Sequence, residues 1–103
     1  MQDFFIKKEY LNEIISIIKK IYPNAIVWAY GSRIERTAHE GSDLDLAVRD
    51  FGQEEANLFC LQEALQNSNI PFLIDIFDFE NLPKSFQENI TKNHIELYNG
   101  QGK

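Results

Sequence analysis

The chain has 103 residues, with 44% hydrophobic and 13% aromatic side chains and a formal net charge of −6 at pH 7. This length and composition predict one folded domain over residues 1–103 with a small core, and exclude an intrinsically disordered chain. The chain has 16 acidic and 10 basic residues. This balance disfavours strong binding to nucleic acids, whose phosphates attract clustered Lys and Arg, and favours divalent cations as ligands.

The cysteine content and the hydropathy pattern bear on the compartment. Cys60 is the single cysteine, so no internal disulfide can form, which fits a reducing compartment. Charges near the N-terminus interrupt any signal-peptide core, and no apolar run reaches the roughly 20 residues that cross a bilayer. We therefore expect a cytoplasmic protein that does not contact a membrane.

The first half of the chain predicts a helix followed by two strands. Apolar side chains recur at helical spacing over residues 9–22. Residues 25–30 (AIVWAY) form a continuous apolar run typical of a strand covered on both faces, and a short helix is expected after it. Residues 43–48 (DLDLAV) alternate between polar and apolar positions, as a half-buried strand does.

The second half predicts a helix, a strand and a closing helix. Helical spacing returns over residues 53–67, and the apolar run at residues 70–79 predicts a third strand. Residues 82–98 are interpreted as a final helix, and the tail at 99–103 is expected to fray. The resulting order α-β-α-β-α-β-α predicts an α/β layer structure. The order and the directions of the strands stay open.

The Gly31-Ser32 pair interrupts the first apolar run. Glycine permits a tight turn and a close approach to the backbone, and serine can cap a following helix. The N–H groups at such a helix start can bind phosphate oxygens. For the dipeptide alone, an ordinary strand-to-helix turn is the better interpretation, because Gly-Ser pairs are common.

Asp43 and Asp45 occupy one face of the second predicted strand, with Cα atoms roughly 6.6 Å apart. Two carboxylates at this spacing can converge on one or two divalent metals, and Mg²⁺ prefers a few carboxylates together with substrate phosphates. The alternative is the solvated face of a half-buried strand. Taken alone, the pattern supports both interpretations about equally.

The third strand offers two further acids, Asp75 and Asp78. A two-metal site usually needs another carboxylate beyond such a pair. Asp75 lies in the middle of the strand, where a neighbouring strand could place it opposite Asp43 and Asp45. Asp78 lies near the strand end and is predicted to cap a turn. Asp75 is therefore the preferred third acid.

Together these residues give the pattern Gly31-Ser32, ten residues, Asp43-x-Asp45, then Asp75 in "FLIDIF". Over nearly its whole length the chain resembles the minimal nucleotidyltransferases of the DNA polymerase β superfamily, which carry G-S-x10-D-x-D and a later strand aspartate. The resemblance implies the polymerase β-like fold, a small mixed sheet with flanking helices.

The resemblance also implies an activity. Members bind a nucleoside triphosphate and two Mg²⁺ ions and transfer a nucleoside monophosphate to a hydroxyl. On this sequence, Gly31 and Ser32 would hold the β- and γ-phosphates, and Asp43 and Asp45 would hold both metals. Asp75 would bind the catalytic metal and help deprotonate the attacking hydroxyl.

Several neighbouring residues are weaker candidates. Arg33 lies nearest the phosphate turn, where the family often has a basic residue, and it is the preferred further phosphate ligand. Arg36 stands where members often have a small residue, and it is interpreted as a solvated helix residue. His39 is expected at the surface, and His94 is expected to be structural. Tyr30 is expected near the core, next to the site.

The resemblance to minimal members suggests a separate partner, a HEPN-type helical protein. The chain would then act as an antitoxin that transfers AMP from ATP to a tyrosine of that partner. Two alternatives stay open: transfer to a small molecule such as an aminoglycoside, and a non-catalytic module that only binds a partner. A homo-oligomer also stays open.

Overall fold

The computed structural model describes residues 6–31, 44–53 and 57–101, and within these ranges it shows four strands in one mixed sheet. The bounds of the elements in chain order are α1 Lys8–Ile21, β1 Ile26–Tyr30, β2 Leu44–Asp50, α2 Leu58–Gln66, β3 Ile74–Asp78, a 3-10 turn at Phe79–Asn81, α3 Lys84–Lys92 and β4 Ile95–Asn99. The alternation of helices and strands agrees with the predicted α/β class.

The strands lie in the order β3-β2-β1-β4. β1 is antiparallel to both β2 and β4, whereas β2 and β3 are parallel. A parallel pair needs a crossover connection, and α2 lies in the chain segment that joins β2 to β3. The parallel pairing matters for function because it brings the starts of β2 and β3 to the same end of the sheet.

One face of the sheet packs against α1 and α2 and forms the main core. The apolar stripe of α1 buries Ile14 and Ile18, while α2 contributes Leu61 and Leu65. The strand residues of this core are Val27, Ala29, Leu44, Leu46, Val48, Ile74, Ile76 and, in β4, Leu97. They occupy alternate strand positions, as side chains on a single face must.

The opposite face of the sheet packs against α3 and the 3-10 turn. Ala47, Phe79 and Ile90 are buried there, and Trp28 and Tyr30 of β1 pack against them. Trp28 meets Phe79 edge-to-face, with ring centroids 5.6 Å apart. Because Val27 and Ala29 face the main core, β1 is covered on both faces, as its continuous apolar run predicted.

The predicted final helix over residues 82–98 is wrong beyond Lys92. The backbone N–H of Asn93 donates to the carbonyls of Asn89 and Ile90, at 3.0 and 3.2 Å, and so ends α3. The residues that follow alternate in burial and pair with the otherwise open edge of β1 as β4. A sheet edge offers unpaired backbone groups, and the pattern I-E-L-Y fits a strand as well as a helix turn.

Other boundaries also differ from the sequence-based prediction. The expected fraying at 99–103 does not hold for Asn99, which is in β4, or for Gly100, whose N–H donates to the carbonyl of Ala25 at 2.8 Å. α2 begins only at Leu58, because the Asn57 side chain accepts a hydrogen bond from the N–H of Phe59 at 2.9 Å and caps the helix. The short helix expected after Ser32 lies outside the described residues.

None of the helices in the described ranges combines the length and the apolar character needed to cross a membrane.

Candidate active site

Three residues form a row across three neighbouring strands at one end of the sheet. Tyr30 of β1 is the register partner of Asp45 in β2, and Asp45 is in turn the register partner of Asp75 in β3. Partners in register project to the same side of a sheet, and neighbouring strands lie about 4.8 Å apart. We refer to Tyr30, Asp45 and Asp75 as the acid row.

Strand alternation directs the acid row away from the main core. Leu44 and Leu46, on either side of Asp45, are fully buried against α1 and α2. Ile74 and Ile76, on either side of Asp75, are buried in the same core. Asp45 and Asp75, which alternate with these residues, must therefore point to the face that carries α3. Both aspartates are partly exposed there.

Two carboxylates in register on adjacent strands repel each other. A divalent cation between them removes that repulsion, and carboxylates together with phosphate oxygens are the ligands that Mg²⁺ prefers. Asp45 and Asp75 therefore fit a shared cation. Within residues 6–31, 44–53 and 57–101, no group of three or more His, Cys, Asp or Glu side chains is placed to hold a metal ion. Asp43 lies outside these ranges, so the three-acid set stays a prediction.

Tyr30 is affected electrostatically by both acids of the row. Burial, together with the negative charges of Asp45 and Asp75, raises the pKa of Tyr30 to about 12. The phenol is consequently protonated at neutral pH, and its O–H is available as a hydrogen-bond donor beside the carboxylates. The sequence placed Tyr30 next to the site, but its electrostatic coupling to both acids depends on strand register.

Gly31 follows the row directly and has a positive φ of 86°. A Cβ at this position would lie 2.6 Å from Oδ2 of Asp45, which is closer than van der Waals contact allows. Both the backbone conformation and the space thus require glycine. From the sequence, Gly31 allows a tight turn and the close approach of a ligand to the backbone. In the described residues the group next to Gly31 is the Asp45 carboxylate.

Asp78 has a different environment from Asp75. It is the register partner of Val48, and its carboxylate accepts hydrogen bonds from the backbone N–H of Glu80 at 3.1 Å and from Nδ2 of Asn81 at 3.4 Å. It therefore caps the 3-10 turn that follows β3, as the sequence predicted. Its position three residues after Asp75 excludes it from the acid row.

His94 lies in the connection between α3 and β4 rather than on a helix. Its ring stacks on Trp28 with centroids 3.8 Å apart, and Nδ1 lies 2.7 Å from the carbonyl oxygen of Ile90. These contacts support the predicted structural role. The remaining candidates, Ser32, Arg33, Arg36, His39 and Asp43, lie outside the described residues.

A cleft of about 400 Å³ opens between the end of β1 and the C-terminal half of α3. The described residues that line it are Tyr30, Gly31, Asn89, Ile90, Lys92 and Asn93. The cleft lies on the same face of the sheet as the acid row and shares Tyr30 with it. Sequence reasoning did not identify it, because its two walls are far apart in the chain.

A family model described as polymerase beta, nucleotidyltransferase, matches residues 12–102 of this chain. A Haemophilus influenzae protein named probable protein adenylyltransferase MntA is 33% identical over 95 residues, which cover 89% of this chain and 82% of that protein. Residues 12–102, which the family model matches, include the whole acid row and the described residues that line the cleft.

Two crystal structures have a similar fold. A toxin-antitoxin with AMP-PNP aligns with a TM-score of 0.69 at 22% identity, over 88% of this chain and 74% of that chain. The toxin-antitoxin MntA-HepT aligns with a TM-score of 0.65 at 17% identity, over 92% of this chain and 74% of that chain. The expected polymerase β-like architecture, a mixed sheet with flanking helices, is thereby confirmed.

Proposed function

The chain belongs to the polymerase β nucleotidyltransferase family and is a nucleotidyltransferase, and from this premise we propose that it transfers AMP from ATP to a protein hydroxyl in an Mg²⁺-dependent reaction. The proposed acceptor is a tyrosine of a HEPN-type helical partner, so that the chain acts as the antitoxin of a toxin-antitoxin pair. We place this activity in the cytoplasm.

The observation that carries the proposal is the register pairing of Asp45 with Asp75 beside Gly31. The family pattern assigns the metal ligands to Asp43, Asp45 and Asp75 and the phosphate turn to Gly31, Ser32 and Arg33. In the described part of this set, the two acids and the glycine come together although they derive from three separate strands or strand ends. On an acidic surface without a metal site, there would be no reason for these two acids and this glycine to lie together.

The two Mg²⁺ ions would be held by Asp43, Asp45 and Asp75, and when bound they neutralise phosphate charge and orient the reacting groups. The residues of the chain position the reacting groups and accept the proton of the attacking hydroxyl. The acceptor oxygen forms a bond to the α-phosphorus of ATP, the bond from that phosphorus to the bridging oxygen breaks, and pyrophosphate leaves. Asp75 takes the proton of the attacking hydroxyl.

The choice of AMP and of a protein acceptor is supported by the similar proteins. The Haemophilus influenzae relative is named a protein adenylyltransferase, and the two structural neighbours are toxin-antitoxin structures, one of them with AMP-PNP.

The test incubates the purified chain with ATP labelled at the α-phosphate and Mg²⁺, in one reaction with the proposed HEPN-type helical partner and in a second with an aminoglycoside. We expect label on a tyrosine of the partner. Label on an aminoglycoside would instead support the small-molecule alternative. Absence of label on both, with a stable complex between the two proteins, would support the non-catalytic alternative.

A further inference from the structure

The cleft between β1 and α3 contains a cation for which the family pattern has no role. We infer that Lys92, with the side-chain amides of Asn89 and Asn93, binds the terminal phosphates of the nucleoside triphosphate in this cleft. The inference rests on the proposed function and adds a binding site on α3 to it.

The cleft lies where the terminal phosphates of a triphosphate would extend from the acid row. The acid row runs from Asp75 in β3 through Asp45 in β2 to Tyr30 in β1. The cleft begins at Tyr30 and Gly31, at the β1 end of that row, and continues to α3. If the α-phosphate lies at the two acids, phosphates that extend past Gly31 enter the cleft. Its volume of about 400 Å³ lies within the range of ligand sites in proteins.

The charges around the cleft suit an anion. Lys92 is exposed at the end of α3 and supplies the positive charge, while the described lining residues include no carboxylate. Asn89 and Asn93 add neutral side chains that can donate hydrogen bonds to phosphate oxygens. Tyr30 adds a phenol O–H, a hydrogen-bond donor, on the opposite wall.

The C-terminus of a helix carries partial negative charge, which would repel phosphate. In α3 the carbonyl of Asn89 accepts from the N–H of Asn93 at 3.0 Å. The carbonyl of Ile90 accepts from the same N–H at 3.2 Å, and Nδ1 of His94 lies 2.7 Å from it. Nδ1 of His94 thus lies against the Ile90 carbonyl, and the positive charge of Lys92 in the last turn offsets the partial negative charge of the helix end.

Lysine near a helix C-terminus also stabilises the helix, so the position of Lys92 has a structural explanation as well. The two explanations differ in what they predict for ligands. A structural lysine affects the stability of the fold alone. A phosphate-binding lysine discriminates ATP from AMP, because AMP lacks the terminal phosphates.

The test measures the dissociation constants of ATP and AMP by calorimetry in the presence of Mg²⁺. We expect Lys92→Gln to weaken ATP binding at least about tenfold, which is about 1.4 kcal/mol, and to change AMP binding less than about twofold. Lys92→Arg keeps the charge and should restore most of the ATP affinity. Lys84→Gln is the matched control, because Lys84 begins the same helix about 12 Å away, and it should change neither constant.

Two results would overturn the inference: unchanged ATP affinity in Lys92→Gln, or an equal loss of ATP and AMP affinity. Thermal unfolding of each variant verifies that the fold is retained.

A wild-type protein with Lys92-dependent ATP binding that labels no acceptor would contradict the proposed function and leave the inference intact. A wild-type protein that labels its partner, with the same ATP affinity in Lys92→Gln, would contradict the inference alone. A wild-type protein that binds no ATP would contradict both.

Discussion

Asp45 and Asp75 are register partners on the parallel strands β2 and β3, so their carboxylates emerge side by side on the face of the sheet that carries α3. Like charges in this arrangement cost stability in the protein without metal. In the proposed Mg²⁺ site, one divalent cation would contact both carboxylates. This relationship connects the family motif to a physical site and is the basis of the predictions that follow.

The first prediction concerns the identity of the third acid. Asp75→Asn should reduce AMP transfer at least about a hundredfold, as removal of a charge-stabilising group in an active site commonly does. Asp43→Asn and Asp45→Asn should have the same effect. None of these changes should lower the thermal stability of the metal-free protein, because each removes a like charge from the site. Initial rates with labelled ATP and circular dichroism melting curves provide the measurements.

Asp78→Asn is the matched control for that experiment. Asparagine caps turns about as well as aspartate, so both the 3-10 turn and the activity should persist. Full activity in Asp75→Asn together with an inactive, folded Asp78→Asn would show that the third acid has been assigned to the wrong residue.

The second prediction concerns Gly31. In Gly31→Ala the new Cβ would meet Oδ2 of Asp45 at 2.6 Å and would also strain a φ of 86°. We expect loss of at least about 1 kcal/mol of unfolding free energy and a marked fall in transfer rate, because Asp45 must move. Urea denaturation and steady-state kinetics measure the two effects separately.

Gly52→Ala separates general strain from damage to the site. Gly52 has a φ of 79°, and a Cβ there would meet the backbone of Asn24, away from the acid row. This variant should lose comparable stability but keep its transfer rate per folded molecule. Equal losses of rate in the two variants would argue that Gly31 has no specific part in the site.

The third prediction uses the pH dependence of stability. The pKa of Tyr30 is about 12 in the folded protein and near 10 in the unfolded chain. Between these values the unfolded state loses the proton first, so the folded state becomes less stable as pH rises from about 10 to 12. Tyr30→Phe should show a shallower decline of the urea midpoint over this range.

Asp45→Asn should also reduce that alkaline decline, though only in part, because burial is the largest cause of the Tyr30 shift and the Asp45 charge is the next. An alkaline decline as steep in Tyr30→Phe as in the wild type would contradict a raised pKa of Tyr30 in the folded protein.

The fourth prediction concerns β4, where the sequence predicted a helix. β4 is an edge strand that pairs with β1 on one side, within the described residues. Its amides on the β1 side should exchange slowly with solvent, and those on its outer side should exchange fast. Hydrogen exchange followed by NMR measures each amide. Uniform protection from Ile95 to Tyr98 would instead indicate the helix.

The sequence predicted the elements that depend on local pattern. Periodicity located α1 and the first three strands, and alternation placed Asp45 on the face opposite Leu44 and Leu46. It also distinguished the capping role of Asp78 from the position of Asp75. Each of these conclusions needs only the nearest neighbours in the chain.

The features that the sequence did not predict depend on contacts between distant segments. β4 forms because the edge of β1 is open, and a short segment of alternating residues carries too little local signal to show this. The register of Asp45 with Asp75 is a property of the parallel pairing, and the strand order likewise depends on contacts between distant segments. The cleft near Lys92 arises only when α3 packs beside Gly31.

Cation binding tests the central claim most directly. Mn²⁺ can replace Mg²⁺ in such oxygen-ligand sites and is measured by electron paramagnetic resonance, here with AMP-PNP present. We predict that Asp45→Asn and Asp75→Asn each weaken Mn²⁺ binding at least about tenfold, whereas Asp78→Asn binds as the wild type does. Mn²⁺ binding that is unaffected by Asp75→Asn, in a variant that remains folded, would contradict the account.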